Sequence, residues 1–94
     1  MGLLARSDLT FTYTWKADEG DNAKITGFPD NKLLDRNEGY EVLPFINRYA
    51  EQHQLRQKTS GLKIERMIRT HLPGNTRSHK NIKEWITENW GKYQ

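Results

Sequence analysis

The residues whose types could do chemistry gather at the start of the last amphipathic stretch, Gly74-Asn75-Thr76-Arg77-Ser78-His79-Lys80-Asn81. Ser78 ahead of an apolar-periodic run is an N-cap signal. A helix start carries backbone N–H groups without intrahelical acceptors at the positive end of the helix dipole. Arg77, His79 and Lys80 add side-chain donors, so the chemistry that suits this stretch is the seating of a phosphate. The plainer alternative is a capped helix whose neighbouring cations project into water. Cations at a helix N-terminus are unfavourable in themselves, which gives an offsetting anion a modest physical motive.

Two amphipathic patterns joined by a turn also fit a helix-turn-helix. In that arrangement the last helix enters a major groove with Lys80, Asn81, Lys83, Glu84 and Thr87 near base edges, while Arg66, Arg69 and Arg77 meet phosphates. The connection from Leu72 through Ser78 is seven residues long, more than the three or four usual for that motif, and Glu84 and Glu88 dilute the reading face. The expected nucleic-acid set is therefore Arg66, Arg69, Arg77, Ser78, His79, Lys80, Asn81 and Lys83. A protein-interaction module or homodimeric adaptor is the alternative, with Trp90 and Tyr93 as anchors, because Trp and Tyr concentrate at the centres of interfaces.

Catalysis has less to draw on. The chain has no cysteine, which excludes disulfides, thiolate metal sites and thiol nucleophiles. His53, His71 and His79 match no zinc spacing, and neither a nucleophile motif nor a Gly-rich phosphate loop is present. Carboxylates are plentiful (Asp18, Glu19, Asp21, Asp30, Asp35, Glu38 and Glu41), but spacing selects no acid–base pair. The expectation is a non-enzymatic protein without metal or cofactor.

Net charge is only +3, yet it is unevenly placed. Residues 1–50 carry six Lys/Arg against eight Asp/Glu, whereas residues 51–94 carry nine against four. Such asymmetry suits a basic face on the C-terminal half, although a solvated helical surface looks the same. Mean hydropathy is −0.97, polar for a globular chain, while 11% aromatic residues argue against disorder. The apolar run at Met1–Ser7 is too short for a signal peptide. No stretch approaches the ~20 apolar residues of a membrane span, so a cytoplasmic location is the default expectation.

The elements that must position these residues follow from periodicity. Leu62, Ile64, Met67, Ile68, His71 and Leu72 draw one stripe, and Ile82, Trp85, Ile86 and Trp90 draw another, giving two helices across the Pro73-Gly74 turn. Thr59 or Ser60 is the expected cap of the first. A third helix is expected over about Asn37 to His53, where Pro44 would cost ~3 kcal/mol inside a helix, so its regular part should start near Glu41. Upstream, Leu9, Phe11, Tyr13 and Trp15 alternate with Thr10, Thr12 and Thr14, and Ala23 to Phe28 alternates again, which predicts an antiparallel hairpin. Such an aromatic row could stack bases, but it reads more simply as the face that docks the hairpin on the core. The expected fold is α+β, ββααα: a single domain over 1–94 with a flexible N-terminus at 1–7, a hairpin at 8–28 and three helices in 29–94.

Overall fold

The first helix, α1, spans Gly39–Gln52, and its start is set by one carboxylate. Glu38 accepts a hydrogen bond from the backbone N–H of Tyr40, satisfying a donor that the helix leaves unpaired. Val42, Phe45, Ile46, Tyr49 and Ala50 then fall on one buried stripe. The regular helix thus starts at Gly39 rather than near Glu41, with Pro44 inside it. Gly39 is suited to that start because a Cβ there would come within 2.4 Å of the Trp15 indole.

The computed structural model describes residues 3–16, 28 and 32–93. The second helix, α2, runs over Lys58–Arg66 and continues as a π-helical turn at Met67–His71. It starts ahead of the expected Thr59 or Ser60 cap, from Gln57, which makes no side-chain cap. The third helix, α3, is His79–Asn89, and Ser78 caps it by accepting from the Asn81 N–H at 3.1 Å. Between the helices lies a core of Val42, Phe45, Ile46, Tyr49, Ile64, Met67, Ile68, Leu72, Ile82 and Ile86, with Leu4 and Leu34 closing it.

The described residues do not form the expected α+β hairpin. Among the described residues there are three helices and no β-strand. Residues 9–15 do alternate, with Leu9, Phe11, Tyr13 and Trp15 half-buried and Thr10, Thr12 and Thr14 exposed. Their backbone donors, however, find other acceptors than a neighbouring strand. Thr10 N and Phe11 N donate to the carboxylate of Glu65 on α2, and Thr14 N donates to Asn37 O at 2.8 Å. Backbone pairing is reduced to isolated bridges at Thr14–Glu38 and Leu33–Ser78. The alternation signals an extended arm with one apolar side, a pattern that a strand and a docked extended segment share. Of the expected second strand, residues 23–27 lie outside the described residues, and Phe28 packs edge-on against Phe45 and Tyr49.

Within the stretch read as a flexible terminus, Leu4 is buried and clasped by Asn47, whose side-chain amide accepts from Leu4 N at 2.8 Å and donates to Leu4 O at 3.0 Å. A 3-10 turn follows at Arg6–Asp8.

Candidate phosphate-binding face

The start of α3 is assembled by two backbone bonds from the segment ahead of α1. His79 N donates to Lys32 O and Leu34 N to Arg77 O, each at 2.9 Å. The bond from His79 N and the Ser78 cap on Asn81 N occupy backbone donors that an anion would otherwise use. Ser78 and His79 are buried, whereas Arg77, Lys80 and Asn81 are exposed. Arg77 makes a long bond from Nε to Gly74 O at 3.3 Å.

His79 faces Arg48, Nδ1 to Nη2 at 3.1 Å. A guanidinium only donates, so Nδ1 is the acceptor and the ring is neutral with its proton on Nε2. Burial, followed by the positive fields of Arg48 and Lys32, holds the His79 pKa down at about 4. The Phe45 ring meets the imidazole edge-on at 5.6 Å.

Arg48 is the unusual residue. Its guanidinium lies over Phe28 at 5.3 Å and Phe45 at 6.0 Å. It has no carboxylate partner among the described residues, and its buried Nε has no hydrogen-bond acceptor there. Burial lowers its pKa. Lys83 Nζ lies 5.8 Å from the same Phe28 ring, and its charge reaches His53 at the end of α1. Arg48 and Lys83 therefore flank Phe28, Arg48 and Lys32 act on the neutral histidine, and Arg77 stands within electrostatic reach of Arg36. At one end Glu41 senses Asp35, Glu38 and Lys32.

The remaining expected residues divide differently. Arg69 is committed to carbonyl and amide oxygens, donating to Arg36 O, to Asn37 Oδ1 at 2.8 Å and to Thr12 O at 3.5 Å while its guanidinium covers Tyr13 at 4.9 Å. Arg66 is exposed at the end of α2. The Thr87 hydroxyl is shared with Tyr49 Oη at 2.9 Å. Trp90 stacks on Tyr49 at 6.3 Å under the Lys63 ammonium, and Tyr93 stacks on His71 at 4.0 Å. Arg48 and Lys32 carry no signal in the sequence. Both occupy ordinary polar positions, and only the fold brings them to His79.

Among the described residues no three His, Asp or Glu side chains converge as a metal site, and no helix there is long and apolar enough to cross a membrane. Comparison with protein-family models, curated proteins and solved structures finds no match.

Proposed function

We propose that this chain is a small binding protein for nucleic-acid phosphate, with Arg48, Lys83 and Lys32 as the centre of the face and Arg77, Lys80 and Asn81 along its rim. The observation that carries the proposal is Arg48: a half-buried guanidinium with no counter-ion among the described residues and an Nε without an acceptor. Desolvating a cation without compensation is costly, and a docked phosphate supplies the opposite charge. The neutral state of His79 fits the same account: burial is its first cause, and the charges of Arg48 and Lys32 add to it by resisting a third positive charge. Relative to the set expected from sequence, this face gains Arg48 and Lys32 and leaves out Arg66, Ser78, His79 and Arg69, the last taken as an internal clamp.

Anisotropy titrations of labelled duplex and single-stranded DNA and RNA, at two salt concentrations, test it. Binding should weaken steeply with salt. Lys83→Ala with Arg48→Gln should lower both affinity and salt slope, by about 0.9 in the duplex slope for each phosphate no longer neutralised. Salt-insensitive binding, or none at low salt, would refute the proposal.

A further inference from the structure

We infer that the groove along the N-terminal arm, lined by Arg6, Leu9, Phe11, Tyr13 and Trp15, takes the bases of a single-stranded nucleic acid. This rests on the nucleic-acid reading above and names the form that is bound. The groove is open to the surface and encloses about 570 Å³, with mostly apolar walls. Its aromatic side chains come from alternate positions of an extended backbone, so successive rings stand on one side of the arm. The Tyr13 and Trp15 ring centroids are 6.3 Å apart.

Charge decides the class of occupant. Arg6 is exposed, and its guanidinium lies 4.0 Å from the Trp15 ring centroid. Among the described residues the nearby acids are committed elsewhere. Asp8 accepts from Ala5 N at 2.8 Å and pairs with Lys58 at 3.2 Å, and Glu65 is turned onto Thr10, Phe11 and Tyr13 beneath the arm. The groove thus presents aromatic walls and a cation whose planar face and N–H groups are free of any carboxylate among the described residues. A ligand with flat apolar rings and a negative backbone is complementary to it: bases stack on the rings and on Arg6, and phosphates take the guanidinium N–H groups. A duplex, with its bases already stacked inside, offers the groove nothing to hold.

The test compares labelled oligo(dT), oligo(U) and a duplex on the intact chain and on Arg6→Gln, Phe11→Leu and Trp15→Phe, with circular dichroism on each variant. Arg6 is exposed, so Arg6→Gln keeps the test interpretable if an aromatic variant fails to fold. Single strands should bind more tightly than duplex, and Arg6→Gln and Phe11→Leu should each weaken them by about tenfold, the scale of one base stacked on one side chain. Single strands should also quench tryptophan emission in the parent but far less in Trp15→Phe, where Trp85 and Trp90 remain. Oligonucleotide affinity unchanged in Arg6→Gln and Phe11→Leu but lost in Lys83→Ala would overturn the groove and leave the phosphate face standing. Preference for duplex, or capture of an acidic peptide in place of oligonucleotides, would overturn it too. No binding of any nucleic acid would remove both proposals.

Discussion

The hydroxyl of Tyr13 donates to Oε2 of Glu65 at 2.7 Å, joining positions 52 apart in the chain. The same carboxylate takes Thr10 N, Thr10 Oγ1 and Phe11 N, each within 3.1 Å, while fully buried. A buried carboxylate with this many donors is stabilised by dipoles rather than by an ion pair. Burial and then the Glu65 bond and charge raise the Tyr13 pKa, so the phenol keeps the proton it donates. Glu65 is what docks the arm in place of a partner strand.

Glu65→Gln should therefore lower stability by about 1–3 kcal/mol, because an amide turns N–H donors toward groups that also donate. Tyr13→Phe, which removes one bond and leaves the carboxylate its others, should cost about 1 kcal/mol. Urea unfolding measures both, and Glu65→Gln as stable as the parent would show that the arm is held by its apolar packing alone.

Gly39→Ala is a second case in which a small change meets a fixed neighbour. Alanine is better than glycine inside a helix by about 1 kcal/mol, but here its methyl would lie 2.4 Å from the Trp15 indole. Trp15 is held in turn by Tyr40 at 5.1 Å and by Arg6. Overpacking costs about 1–3 kcal/mol, so the net effect should be destabilising. In Trp15→Leu the same substitution should become neutral or favourable, and a double-mutant cycle reads that coupling. Additive effects would mean that the indole moves aside freely.

Glu65 and Gly39 mark the boundary of what is legible in the sequence. The helices are, because their stripes at 3.6-residue spacing bury Val42, Ile46, Ile64, Ile68, Ile82 and Ile86, and Ser78 announces its cap. The hairpin expectation fails because alternation records which side of an extended segment is apolar, not what bonds its edge. Residue type alone places Glu65 on the solvent face of α2. Only the arm crossing over it makes burial tolerable. The cluster of Lys32, Arg48 and Lys83 is hidden for the same reason, as residues from three segments acquire meaning only when Phe28 and His79 bring them together.

His79 gives stability a pH dependence of definite sign. Its folded pKa of about 4 lies below its ordinary 6.5, so across that window the unfolded chain binds a proton that the native chain refuses. Stability from this group is complete above about pH 6.5 and is lost as pH falls toward 4, by roughly 3 kcal/mol over the whole window. His79→Gln should flatten that part of the stability profile. An imidazole NMR titration locates the pKa directly, and Arg48→Gln should raise it only in part, since burial is the larger cause. A ring that titrates at its ordinary value would mean that His79 is reached by water.

Arg69→Ala and the double variant Arg77→Ala with Lys80→Ala separate a clamp from a binding surface. Arg69 donates to Arg36 O, Asn37 Oδ1 and Thr12 O, tying α2 to both the arm and the turn ahead of α1. Its loss should cost about 1–3 kcal/mol of stability, and Arg69→Lys should not restore it, because an ammonium lacks the planar fork that reaches those acceptors. Arg77 and Lys80 are exposed and lie off the apolar stripes. Their double replacement should change stability by no more than about 0.5 kcal/mol while lowering duplex affinity and its salt slope. Denaturation and salt-dependent titration on the same samples distinguish the roles. A double variant that unfolds would make the loop before α3 structural, and one that binds like the parent would confine the phosphate face to Arg48, Lys83 and Lys32.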